Sequence, residues 1–256
     1  DNNDMKVAVC VGGQLRMEDD ILKLTIDLLK DAFPNADFFF EVWKQDAKDR
    51  PESLKFLDGT VHLFEEYDID YHPYEDNRTA VDTYNFKKKL LNPNPTRHLH
   101  QTKMILNHDT MNKTYLRDYD VIVRTRYDSI ISSTEAFDYY VKICHNGQYV
   151  ISVMDFSGDK KKRKFFNPNG ISDHTYNHST SRMVNDGGII LYPAKIWDSK
   201  VVDKLHNNKN LLAAEYGWYQ VLVEATNAEH IMFDGCAKLT RCVSKRDMKL
   251  LKELMK

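Results

Sequence analysis

The stretch Tyr119-Asp120-Val121-Ile122-Val123-Arg124-Thr125-Arg126-Tyr127-Asp128-Ser129 constrains this chain more than any other. Val121 to Val123 are consecutive, β-branched and uncharged, the pattern of a strand covered on both faces in a parallel sheet. The run ends abruptly in two arginines, an aspartate and a serine. Open α/β sheets take their ligands just outside the carboxyl ends of the strands. Arginine offers a planar fork of donors matched to phosphate oxygens, and aspartate offers hard oxygens to Mg²⁺, Mn²⁺ or sugar hydroxyls. A strand delivering Arg124, Arg126, Asp128 and Ser129 at its end therefore suits a phosphorylated, hydroxyl-rich ligand. The alternative is a structural Arg–Asp ion pair.

The rest of the chain reads as α/β. Met5 to Val11 is an apolar first strand, and Gly12-Gly13-Gln14-Leu15-Arg16 follows as a turn. From Glu18 to Phe33 the apolar residues Ile21, Leu22, Ile26, Leu29 and Phe33 recur at helical spacing, with acidic residues at the start and Pro34 beyond the end. Strand, glycine turn and helix open a nucleotide-binding βα unit. The glycines either let backbone approach a ligand, with Arg16 on phosphate, or merely make a tight turn; they are not a GxGxxG fingerprint. Ala36–Trp43 and Val61–Phe64 are further strands. A polar stretch from Tyr67 to Pro95 is long for a connection in a compact domain. Thr96–Leu116 is a helix feeding the central strand, so Gln101 can border the crevice; His98 and His100 point to different faces, against a metal reading.

Beyond Ser129, a helix is expected over Thr134–Cys144 and a strand over Tyr149–Met154. The basic run Lys160–Lys164 reads as a solvated loop, or as one that orders over an anion. His174 and His178 lie in loop composition. Val184 to Tyr192 reads as a strand entered by Asp186-Gly187-Gly188, where glycine marks close approach by a ligand or another backbone. A short helix from Pro193 to Leu205, a helix over Leu211–Ala225, a strand at His230–Phe233 and a terminal helix from Ser244 follow. Glu215 with Gly217 and Trp218 can frame a sugar; a half-buried helix with an exposed glutamate is the plainer alternative.

Of the 256 residues, 42% are hydrophobic, enough for a sizeable core, and the net charge of −2 argues against a general nucleic-acid binder. No apolar run approaches the ~18 residues of a membrane helix, and no signal peptide is visible. The scattered Cys10, Cys144, Cys236 and Cys242 suit buried thiols in a reducing, cytoplasmic setting. Three chance-level sequons, beginning at Asn77, Asn112 and Asn177, do not by themselves place the chain in a lumen.

Three segments in order, Val9 to Arg16, Asp37 to Trp43 and Tyr119 to Asp128, resemble GT-A-type glycosyltransferases, above all those of bacterial surface polysaccharide synthesis and of large DNA viruses such as chloroviruses. The likeness runs motif by motif over residues 5 to 130 and by arrangement beyond. It implies one GT-A-like domain with a mostly parallel central sheet flanked by helices. Residues 5–130 would form the nucleotide-sugar half and 131–256 the acceptor half. It implies a nucleoside-diphosphate sugar as donor, UDP-linked in many such enzymes, a glycan hydroxyl as acceptor, and a cytoplasmic location, that of the host cell for a viral protein. Gly12, Gly13, Gln14, Arg16, Gln101, Arg124, Arg126, Asp128, Ser129, Gly187 and Gly188 would bind the donor. Glu215 or Asp186 would be the catalytic carboxylate of an inverting transfer, and Trp218 would wall the acceptor. Asp128 would stand last in a DxD-like motif and ligate Mn²⁺ or Mg²⁺. Arg126 replaces the first acid of that motif, so a basic group could itself neutralise the diphosphate. A sugar-phosphate nucleotidyltransferase and a non-catalytic glycan or sugar-nucleotide binder are the alternatives. The first should carry Arg and Lys in a glycine-rich loop after strand one, where only Arg16 is found.

Overall fold

The computed structural model describes residues 4–65, 95–131, 134–154, 176–177, 184, 186–208, 214–234, 237–239 and 253. In chain order the elements are β1 (Val7–Gly12), α1 (Asp19–Ala32), β2 (Asp37–Trp43), α2 (Lys44–Asp49), β3 (Thr60–Phe64), α3 (Pro95–Tyr115), β4 (Val121–Arg126), β5 (Ser129–Ile131), α4 (Phe137–Gly147), β6 (Val150–Met154), β7 (Tyr176–Asn177), β8 (Ile189–Pro193), α5 (Ser199–Asn207), α6 (Ala214–Tyr219), β9 (His230–Asp234) and β10 (Ala237–Leu239).

The main sheet has the order β3-β2-β1-β4-β8-β6-β9-β7. Its first four strands are parallel, as the continuous apolar runs of β1, β2 and β4 predict. β8 runs antiparallel to both β4 and β6, so the second half is mixed. From β1 the chain steps outward to β2 and β3, then returns to β4 on the other side of β1. That reversal makes the β1–β4 boundary the switch point at which an open α/β sheet forms a crevice.

Side chains alternate between the two faces. Val9, Val11, Phe38, Phe40, Val121 and Val123 pack on the face covered by α1 and α4. Ala8, Cys10, Phe39, Trp43 and Ile122 pack on the face that holds Met104, Ile105 and Met111 of α3 and Trp218 of α6. Glu41, Arg124 and Gly12 belong to this second face by the same parity.

Several boundaries differ from the sequence expectation. The strand expected from Val184 begins only at Ile189, because Asp186 to Gly188 form the turn before it, with the Thr125 hydroxyl donating to the Gly188 carbonyl at 3.3 Å. Pro193 ends β8 instead of starting a helix; a 3₁₀ turn follows, and α5 starts after Asp198, whose Oδ1 accepts from Lys200 N–H at 2.9 Å. α4 starts and ends three residues later than expected, at Phe137 and Gly147 rather than Thr134 and Cys144. α6 widens into a π-helical turn over Gln220–Glu224, where Ala225 N–H reaches back to the Gln220 carbonyl. The short β5, paired with β10, and the charged α2 carried no usable periodicity. The stretch 66–94, Lys160–Lys164, His174, His178, Asn185, Cys236 and Cys242 lie outside the described residues, as does all of the expected terminal helix but Glu253. Among the described residues no helix is long and apolar enough to cross a membrane.

Candidate functional site

Parallel pairing sets Cys10 beside Arg124 and Gly12 beside Arg126. Because residues two apart share a face, the two arginines stand one behind the other along β4, on the α3 side of the sheet. Gly12 leaves them space: a Cβ there would lie 3.3 Å from Arg124 Nη2 and 3.3 Å from the Glu41 carboxylate. The gap at Gly12 is filled by the protein's own charged groups rather than held open for a ligand.

An alternating series of charges runs from the surface into the core. Arg16, with 63% of its side chain exposed, stands 3.7 Å from Asp128 Oδ2. Arg126 grips the same carboxylate with its fork, Nε to Oδ1 at 2.9 Å and Nη2 to Oδ2 at 3.0 Å. Arg126 Nη1 lies 3.9 Å from Asp186 Oδ1. Asp186 Oδ2 in turn lies 3.5 Å from Arg124 Nη1, an ion-pair distance without hydrogen-bond geometry. Burial works against the charge on Arg126, but Asp186, Asp128 and, more weakly, Glu215 overcome it and hold the guanidinium above its ordinary pKa. Glu215 therefore stands within electrostatic reach of Arg126. It sits in the first turn of α6, half-buried, and its carbonyl accepts from Val184 N–H at 3.0 Å, tying α6 to the segment that leads into Asp186.

Behind this series lies a polar layer that sequence reasoning missed. Glu41 is buried in β2 and lies 3.5 Å from His108 Nδ1. A carboxylate only accepts, so His108 Nδ1 is the donor in that contact, and Nε2 meets the Tyr192 hydroxyl at 2.7 Å. Asn112 donates to the same hydroxyl at 3.0 Å, and Tyr127 Oη–H to the Glu41 carbonyl at 3.0 Å. The usable signal was a lone glutamate inside Phe38-Phe39-Phe40-Glu41-Val42-Trp43. A second device holds the loop after β1: Leu15 N–H donates to Asp46 at 3.1 Å, and Arg50 donates to the Leu15 carbonyl at 2.6 Å and to Asp19 at 2.9 Å.

The structure thus brings Arg16, Arg126, Asp128, Asp186 and Glu215 together. Arg124 lies beneath them, wholly buried over the Trp218 ring at 5.0 Å, so it does not stand at the mouth of the crevice. Trp218 is itself fully buried among His108 and Trp197 and offers no open ring face. Ser129 is buried in β5 with no hydrogen bond from its hydroxyl among the described residues. Gly187 and Gly188 are buried in the turn before β8, Gly13 takes a positive φ of 112° and Gln14 is exposed in the loop. Gln101 lies on α3, and its side chain is outside the described residues.

Among the described residues the metal implied by the family resemblance finds no matching set of donors. Both oxygens of Asp128 face Arg126, and among the described residues no group of three acidic, histidine or cysteine side chains is arranged to hold an ion.

No protein-family model matches the chain. No curated protein matches it either. Solved structures do share its fold. The 4-diphosphocytidyl-2C-methyl-D-erythritol synthase of Anaerococcus prevotii superposes at TM-score 0.55 and 10% identity, over 98% of this chain and 99% of that one. A further 4-diphosphocytidyl-2C-methyl-D-erythritol synthase gives TM-score 0.51 at 11% identity, over 99% of both chains. A glycosyltransferase involved in glycosylation of the major capsid of PBCV-1 gives TM-score 0.43 at 8% identity over 96% of this chain and 99% of that one, too distant to carry an inference. With the mixed sheet, its flanking helices and the switch point at β1–β4, the likeness to the two synthases establishes a mixed α/β fold of the kind they have, a central sheet flanked by helices.

Proposed function

We propose that the chain is a glycosyltransferase that moves a sugar from a nucleoside-diphosphate sugar to a glycan hydroxyl, with inversion at the anomeric carbon. The observation that carries this is the convergence of Arg16, Arg126, Asp128 and Asp186 at the carboxyl ends of β1 and β4 and the turn before β8, with Glu215 of α6 within electrostatic reach of Arg126. Sugar transfer passes through an oxocarbenium-like state, as glycoside hydrolysis does. The departing diphosphate gathers negative charge, which fixed guanidinium donors in a partly dry site stabilise. Arg16 and Arg126 take that part. Asp186, buried beside Arg126 at the turn before β8, takes the donor-sugar hydroxyls. Glu215 takes the acceptor proton.

The second proposal is a sugar-phosphate nucleotidyltransferase, favoured by the whole-chain fold likeness to the two synthases. Against it, the loop between β1 and α1 carries Arg16 as its single basic residue. Product analysis separates the two. Incubation with UDP- and GDP-sugars and glycan acceptors should release the nucleoside diphosphate and a product of inverted anomeric configuration. Release of pyrophosphate from a nucleoside triphosphate and a sugar phosphate would replace the first proposal with the second. Retained configuration would remove Glu215 from the part of simple base.

A further inference from the structure

We infer that this site grips its diphosphate with a pair of arginines and no divalent cation, and that Asp128 serves as the clamp that aims Arg126. The inference rests on the donor proposal above, and its test separates the two failures.

Each oxygen of Asp128 and Asp186 already faces a cation. Asp128 Oδ1 faces Arg126 Nε, and Asp128 Oδ2 faces both Arg126 Nη2 and Arg16 Nη2. Asp186 Oδ1 faces Arg126 Nη1, and Asp186 Oδ2 faces Arg124 Nη1. A divalent ion binding Asp128 would have to displace a two-pronged charge-assisted pair, one of the stronger contacts a carboxylate makes. It would then sit among guanidinium groups of its own sign, inside a partly buried site where such repulsion is poorly screened.

The arginines, by contrast, have donors to give. Arg126 spends Nε and Nη2 on Asp128, while Nη1 stands 3.9 Å from Asp186, beyond hydrogen-bond reach. Among the described residues the Arg16 side chain makes only the 3.7 Å contact, and it is largely exposed, so its fork can turn onto a phosphate at little cost. Arg126 is the fixed member of the pair: two carboxylates hold its orientation and its charge before any ligand arrives. Preorganised in this way, it loses little side-chain entropy on binding.

The test is calorimetric titration of the full chain with UDP and with GDP, in excess EDTA and in Mn²⁺. At least one of the two should bind, with a dissociation constant differing by less than about threefold between the arms, well under the ~1.4 kcal/mol of a tenfold change. Binding that appears only with Mn²⁺, or tightens tenfold or more with it, overturns the inference and leaves the donor proposal standing. Binding of neither nucleotide in either arm sinks the donor proposal and this inference with it. Arg126→Gln should weaken the bound nucleotide by about tenfold to a hundredfold, equally in both arms, since a charged phosphate contact is lost. Unchanged affinity in a folded Arg126→Gln protein also overturns it. Should that variant fail to fold, the two wild-type arms decide.

Discussion

Glu215 is the residue whose replacement best tests the assignment of chemical roles. It is half-buried, in the first turn of α6, and close enough to Arg126 to raise the pKa of that guanidinium. A positioned general base contributes about 10²–10⁴-fold. Glu215→Gln should therefore lower kcat by about that factor with nucleotide affinity nearly unchanged, measured by steady-state kinetics beside calorimetry. Asp186 is the rival. If it is the base, Glu215→Gln raises the acceptor KM instead, and Asp186→Asn abolishes turnover. The geometry supports the first version, because Asp186 is buried between two arginines and Glu215 is the more accessible of the two. Both residues were readable as candidates from their glycine neighbours. Their convergence on Arg126 was not, since some thirty residues separate them along the chain.

At the scale of elements, the turn between β1 and α1 determines where Arg16 sits. Gly13 has a φ of 112°, which side-chain-bearing residues rarely adopt, yet a Cβ there would meet nothing closer than Met104 Cε at 3.6 Å. Gly13→Ala should thus cost stability through its backbone rather than through crowding, by about 1–3 kcal/mol, read as a lowered urea midpoint. Trimming the neighbour with Met104→Ala should not restore it; restoration would mean that crowding was the cause. Gly12 is the opposite case, in a strand conformation but hemmed in by Arg124 and Glu41. The Gly-Gly pair was legible in the sequence as a tight turn. That one glycine serves the backbone and the other serves two buried charges follows only from the neighbours on β2 and β4.

For the molecule as a whole, the buried charges join the sheet to the helices on one side. Arg124 is fully buried near Glu41 of β2, against Asp186 before β8 and over Trp218 of α6. Breaking a buried pair by removing one partner costs about 3–5 kcal/mol, because an uncompensated charge stays behind. Arg124→Leu should lower stability by about that amount in chemical denaturation. A shift of well under 1 kcal/mol would mean that water already reaches Asp186 and Glu41 and relieves them. The same layer accounts for a polar residue in the middle of an apolar strand: Glu41 lies across Gly12 from Arg124 and stands 3.5 Å from His108 Nδ1.

By itself the sequence determined the parallel half of the sheet, the helices α1 and α3 and the strand end where Arg126 and Asp128 emerge. Those features depend on period-two and period-3.6 burial and on punctuation by glycine and proline, all of them local. It also marked Asp186 and Glu215. Only the tertiary structure decided which charged groups meet. The order β3-β2-β1-β4-β8 lays Gly12, Glu41, Arg124 and Asp186 side by side, although they are scattered from the first strand to the eighth. It turned Arg124 and Trp218 inward and left Arg16 and Arg126 at the crevice. Burial of a charge depends on partners supplied by distant strands, and no local pattern of residues encodes that pairing.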